Sequence, residues 1–438
     1  MKKMTLLWIG VGVIMLALVA GAVWWELRPQ VINFDDGSKL TLLAVDYGKD
    51  HKPPLVKGAR AHGRSFKTTN DTLVAWVHQE YDSEDWHSFQ YYAYDKDGMA
   101  CVGSSGMNWS GTGGRQGNEV VGVEFSAFPR REGRFYIRAQ ENGNGGQDLS
   151  DDKFTVSNPS RGPFTAWAAQ PLPDTEEDGD FSVTLKKLVA GAKSPYMRAD
   201  GDEDDPINKS VQATFQAELN GTNASDWQPV AVETSDATGN SASGSLNMQP
   251  QQGDDSVTAY QYGLWPDEPA WKLRVEFSKQ ANFSDSELWV VPGIPLQPGR
   301  QQDFWNYGRG RKTKINAVAE TDLGGFHVSL LPVKQFTNVP PNSQPQGGMT
   351  IEISPLPTEG VRVTIVKLTD DQGNDIQYWN YGNNKAIKSE DFRYGLQNVD
   401  GVTNINLTLA VHKSHFVEFT VKPEKAPKPV DSDQANQQ

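Results

Sequence analysis

Cysteine is almost missing from this chain: Cys101 stands alone among 438 residues, so no disulfide can close within it. Exported proteins do without disulfides when each core is large enough to hold together, and repeats of roughly 130 residues meet that condition. Cys101 follows a turn and is expected to be buried and unreactive. Positive charge is also in short supply. Against 55 Asp and Glu stand 41 Lys and Arg, and the net charge of −14 opposes binding to phosphate backbones, so no nucleic-acid partner is expected. Helical periodicity is absent from any long stretch after residue 30, which argues against an α or α/β fold. Catalytic signatures are missing too: there is no Gly-x-Ser-x-Gly, no Ser-x-x-Lys with its partners, no P-loop and no dinucleotide fingerprint. Histidine is sparse, and no His-Glu-x-x-His, Cys pair or facial triad occurs, so no metal centre and no cofactor are expected.

What is present begins with one apolar segment. Lys2 and Lys3 precede an uncharged run over residues 4–25, long enough to cross a hydrocarbon core of about 30 Å. The run ends in Trp24-Trp25, where indoles favour the water interface, and Glu26 and Arg28 follow. The flanking lysines predict a cytoplasmic N-terminus with the rest of the chain extracytoplasmic, either periplasmic or at the cell surface. A cleaved signal peptide is the competing reading, because Ala20-Gly21-Ala22 has the small-x-small form that a signal peptidase accepts. The apolar run continues past that site, which favours a retained single-pass anchor.

Behind this segment a pattern recurs three times. Its middle turns read Asp95-Lys96-Asp97-Gly98, Asp236-Ala237-Thr238-Gly239-Asn240 and Asp370-Asp371-Gln372-Gly373-Asn374. Asp95 to Asp236 spans 141 positions and Asp236 to Asp370 spans 134, a period too long for a solenoid and right for whole domains. Opening strands are expected at residues 40–48, 183–191 and 328–333, second strands at 73–77, 211–215 and 349–353, and closing strands at 154–159, 288–292 and 419–423. Alternation supports them: Trp271, Leu273, Val275 and Phe277 share one face, as do Ile405, Leu407, Leu409 and Val411, and Val417, Phe419 and Val421. A period of two with one polar face describes antiparallel sheets packed on one side. The expected fold is mainly β: an N-terminal transmembrane helix followed by three tandem immunoglobulin-like antiparallel β-sandwiches. The boundaries follow as 1–30 anchor or signal segment, 31–160, 161–297 and 298–424 as repeats one to three, and 425–438 as a disordered tail. Pro-rich links at 157–180 and 292–303 predict domains set at preferred angles.

Few residues suggest chemistry. Trp305-Asn306-Tyr307-Gly308 and Trp379-Asn380-Tyr381-Gly382 repeat one tetrapeptide, and aromatics beside amides could stack on sugar rings or grip a peptide. Cross-strand packing near domain edges is the alternative. Trp305, Asn306, Tyr307, Trp379, Asn380 and Tyr381 are therefore the candidate ligand-stacking residues. Asp200, Asp202 and Asp204 have the alternate-carboxylate look of a calcium loop, but Asp205 stands where the loop glycine belongs, which favours a solvated turn. His78, Glu80, Asp82 and His87 are the set by which repeat one could hold an enzyme site. His412 and His415, three apart where one strand gives way to the next, read as surface histidines. No catalytic residue is assigned.

The phrase Phe34-Asp35-Asp36-Gly37-Ser38-x-Leu40-x-Leu42 with Val45-x-Tyr47-Gly48, and Phe128-Pro129-Arg130-Arg131 before a strand closing on Phe154-x-Val156-x-Asn158-Pro159, resemble uncharacterised bacterial membrane-anchored proteins with tandem immunoglobulin-like β-sandwich repeats. The resemblance covers mainly repeat one and implies an envelope location and a sandwich-like fold, without an activity. The expectation is thus a non-enzymatic binding or scaffold protein of the bacterial envelope, with the membrane, an envelope protein or a glycan as partner. An extracytoplasmic carbohydrate-active or other hydrolytic enzyme, its site between repeats, is the alternative.

Overall fold

The computed structural model describes residues 29–426 except 62–65, 82–87, 106–116, 144–145, 161, 194–208, 246, 251–255, 262–263, 306–314, 338–345, 357–359 and 386–388. The apolar segment at 4–25 lies outside the described residues, and among those described no helix is long and apolar enough to cross a membrane. The chain is mainly β, in several largely antiparallel sheets. Its principal strands, in chain order, are β1 (Lys39–His51), β2 (Phe66–Tyr81), β3 (Ser88–Tyr94), β4 (Ala100–Ser105), β5 (Gly117–Phe125), β6 (Arg134–Gly143) and β7 (Phe154–Ser157) in a first unit. There follow β8 (Phe181–Lys193), β9 (Lys209–Leu219), β10 (Trp227–Asp236), β11 (Ser241–Ser245), β12 (Val257–Gln261) and β13 (Trp271–Lys279). The remainder is β14 (Leu288–Pro295), the short helix α1 (Gln301–Trp305), β15 (Phe326–Leu330), β16 (Gly347–Ser354), β17 (Val361–Asp370), β18 (Tyr378–Lys385), β19 (Glu390–Leu396), β20 (Asn404–Lys413) and β21 (His415–Val421).

In the first unit β1, β2 and β5 run side by side, as do β3, β6 and β7, and β4 joins the two groups by pairing first with β3 and then with β5. Leu73, Ala75 and Val77 of β2 meet Tyr91 and Ala93 of β3 in one buried core, which also takes in Cys101. The turn aspartates behave alike in all three places. Oδ1 of Asp95 accepts from the Asp97 and Met99 amides, that of Asp236 from Thr238 and Asn240, and that of Asp370 from Gln372 and Asn374. The glycine that follows takes a positive φ each time, from 81° to 90° at Gly98, Gly239 and Gly373.

The closing strands depart from the tandem expectation. β7 closes its own unit by pairing with β6. β21, expected to close repeat three, pairs instead with β13, Val421 opposite Trp271 and His415 opposite Phe277. β14, expected to close repeat two, pairs with β20, Leu288 opposite Ala410. The two repeats have exchanged their last strands, so the third unit is inserted between β13 and β21 of the second. Buried residues follow the pairing: Val417, Phe419 and Val421 join the core of units one and two, while Val291 and Ile294 join that of unit three. Phe419 lies 6.3 Å from Phe215 of β9 across that core.

The reason is local. Ser414 is the single residue between β20 and β21. One residue is too few to reverse a strand into a hairpin, whose shortest common loops hold two. The chain must therefore continue into another sheet, and the Trp271 face of β13 receives it. The residues just after β21 are also ordered: Glu424–Lys425 form a short parallel pairing with Val189 and Ala190 of β8. Lys425, expected in a disordered tail, bridges Asp267 at 2.6 Å and Asp97 at 3.5 Å.

Both junctions between units are built from polar side chains with specific partners. Between units one and two, Oδ1 of buried Asn240 accepts from the Phe128 amide (3.1 Å) and from Arg130 Nε (2.8 Å). Arg130 also donates to the Tyr47 hydroxyl, and Arg131 Nε donates to both oxygens of Glu268 at 2.9 Å. Between units two and three, Arg362 of β17 grips Glu276 of β13 with two hydrogen bonds, at 2.7 and 2.6 Å, and the Ser414 hydroxyl adds a third at 2.7 Å.

Candidate functional site

Unit three carries the site because the structure sets Trp379 and Tyr381 of the second aromatic tetrapeptide beside Phe304, the residue that precedes the first. β16 and β19 pair antiparallel, Gly348 opposite Gly395 and Glu352 opposite Asp391, and β18 pairs with β19, Trp379 opposite Gly395. Met349, Ile351, Ile353, Phe392, Tyr394 and Leu396 point into the unit's core. Their alternates, Gly348, Thr350, Glu352, Asp391, Arg393 and Gly395, fall on the opposite, outward face.

Gly348 makes room there. A Cβ on Gly348 would stand 2.6 Å from the Phe304 ring and 2.9 Å from that of Phe336. Phe304, in α1 and one residue before the first tetrapeptide, therefore packs against the sheet, with its ring centroid 5.7 Å from Phe336 and 6.2 Å from Tyr381. Trp379 and Tyr381 meet edge-to-face at 5.9 Å. Tyr381, two residues beyond Trp379, falls on the same face by strand alternation, and the β18–β19 register is irregular between Asn380 and Asn383. Tyr381 remains 37% exposed, whereas Phe304 and Phe336 are buried. Of the expected stacking residues, Trp379 and Tyr381 thus share one surface with Phe304 of α1, whereas Asn380 stands opposite the core residue Tyr394. Asn306 and Tyr307 lie outside the described residues.

Further along the same face the chemistry becomes polar. Asp391 is 4% exposed, and its Oδ1 has no hydrogen-bond partner among the described residues. Burial first, then the charges of Glu352 and Glu390, push its carboxyl up to about 6, against the opposing pull of Arg393. Asp391 and Arg393 escaped the sequence reading because an acidic pair at a strand start resembles any solvated edge. The one available signal was Gly347-Gly348 in the facing strand, a flattened stretch that admits a ring.

Of the other candidate residues, only His78 and Glu80 come together among the described residues, His78 Nδ1 lying 3.8 Å from Glu80 Oε2. His78 Nε2 contacts Asn118 Oδ1 at 2.6 Å, and Glu80 pairs with Lys39 at 3.3 Å, while Asp82 and His87 lie outside the described residues. Asp200, Asp202 and Asp204 also lie outside them, and among the described residues no group of three or more His, Cys, Asp or Glu could hold a metal ion. His412 and His415 do lie where β20 gives way to β21, at the junction of units two and three, but His412 is corrected from a surface to a buried residue. Its Nε2 lies 2.9 Å from the Ser278 hydroxyl, while its Nδ1 has no partner among the described residues. His415 stacks on Phe181 at 4.5 Å and donates from Nδ1 to Asp178 at 3.0 Å. Compared with protein-family models, curated proteins and solved structures, the chain matches none of them.

Proposed function

We propose that this chain is a membrane-anchored, extracytoplasmic binding or scaffold protein of the bacterial envelope, built from three immunoglobulin-like β-sandwiches, and that unit three presents the ligand. Paired antiparallel sheets around shared apolar cores support the sandwich reading. The charge-flanked apolar run at residues 4–25 supports the anchor. The observation that carries the binding reading is the aromatic surface of Trp379, Tyr381 and Phe304, assembled from two distant segments on an outward sheet face. Rings gathered away from the core, one of them over a third exposed, are placed for contact with another molecule.

The test is capture from detergent-solubilised envelope by the full-length protein and its Trp379→Ala variant. Retention of envelope material by the wild type and its loss in the variant is the expected result. Equal capture by both, or capture by neither, overturns the reading. One observation favours an enzyme instead: Asp391, with its carboxyl near 6, stands directly across from Glu352, as a proton donor stands beside a second carboxylate. Saturable hydrolysis abolished by Asp391→Asn would replace the binding reading with that one.

A further inference from the structure

The outward face of β16, β18 and β19 joins an aromatic half to a polar half, and the polar half mixes both signs of charge. Gly395, opposite Trp379, and Asp391 are four residues apart on β19, about 13 Å at roughly 3.4 Å per residue. That span suits a ligand of more than one ring. Arg393 lies between them and offers donors, while Asp391 and its cross-strand neighbour Glu352 offer acceptors. A cationic ligand would meet Arg393, and an anionic one would meet two carboxylates. A neutral molecule that both donates and accepts, and that has flat apolar C–H faces, meets neither penalty. Sugars combine these properties.

We propose that this face binds a neutral oligosaccharide, with Trp379 and Tyr381 stacking on sugar rings and Asp391 accepting hydrogen bonds from sugar hydroxyls. The second observation behind it is independent of the aromatics. Asp391 Oδ1 is buried and unpartnered among the described residues, and leaving such an acceptor empty costs more than filling it gains. A hydroxyl donated by a ligand would meet that need. The inference rests on the reading of the protein as a binding module and adds the chemical class of what is bound.

The full-length protein in detergent is titrated with neutral hexasaccharides of the β-glucan, α-glucan, mannan and N-acetylated chitin types, following tryptophan fluorescence and heat. At least one is expected to saturate with Kd below about 1 mM. Trp379→Ala should weaken it up to about tenfold, and Asp391→Asn by about 10–100-fold. Asp391→Asn should melt higher than the wild type at pH 7, which separates lost binding from lost folding. No binding to any of these sugars, or binding that both variants retain, overturns the proposal. If the sugars then fail but envelope capture still depends on Trp379, the binding reading stands with a non-saccharide ligand. If both fail, both readings fall.

Discussion

Asp391, Asp95 and His412 are titratable groups that the fold removes from water, and they tie stability to pH in opposite senses. Burial raises the carboxyls of Asp391 and Asp95 to about 6, above the ordinary 3.8. The folded chain therefore holds those protons more tightly than the unfolded one, and stability present at acid pH is lost as pH rises from about 4 to 6. Burial lowers His412 to about 4 from 6.5, so the unfolded chain takes up its proton first, and stability falls as pH drops from 6.5 towards 4. Asp391→Asn should therefore gain about 1–3 kcal/mol at pH 7 and almost nothing at pH 4, by chemical unfolding at each pH. His412→Gln should flatten the acid-side loss in the same measurement. The glycines divide by surroundings. Gly373 has a left-handed φ and open space beside it, so Gly373→Ala should cost only about 1 kcal/mol of backbone strain. Gly348→Ala must also displace the Phe304 ring, so it should quench or shift the tryptophan emission of the aromatic face as well as lower the melting temperature.

At the scale of elements, the strands and their turns were legible because their causes are local. Alternation at Ile405, Leu407, Leu409 and Val411 and the Asp-x-x-Gly turns need only neighbouring residues, and all four side chains are buried as that pattern requires. The partner of a closing strand is not local. β14 and β21 both present an apolar face, and nothing in either says which sheet it joins. The single residue between β20 and β21 was a readable sign that no hairpin forms there, but not of where the strand goes. A chain ending at Lys413 tests the exchange. With β21 missing, unit two should lose amide protection along β13 while β14, β17 and β20 stay protected in hydrogen exchange. A tandem order would give the reverse.

At the scale of the molecule, the exchange makes two covalent crossings between units two and three, at residues 280–287 and at Ser414. The Glu276–Arg362 pair fastens the same seam. Removing one partner of a half-buried, doubly hydrogen-bonded pair strands the other, so Glu276→Ala should cost about 2–4 kcal/mol in chemical unfolding. Units one and two share a single core cluster and are pinned by Asn240. Asn240→Ala leaves the Phe128 amide and the Arg130 guanidinium short of an acceptor, and calorimetry should then resolve a separate, earlier transition for unit one.

The sequence by itself determined the β character, the turn chemistry and the repetition, because periodicity and short-range hydrogen bonding act within a few residues. It also marked Trp379, Asn380 and Tyr381 as unusual, since identical tetrapeptides stand out at any distance. Only the tertiary structure decided which sheet each closing strand completes, how Phe304 comes to lie against Tyr381, and that Asp391, further along the same sheet, is buried with one acceptor unfilled among the described residues. Those outcomes depend on contacts between segments tens to hundreds of residues apart, where many apolar strands are interchangeable until the chain is folded.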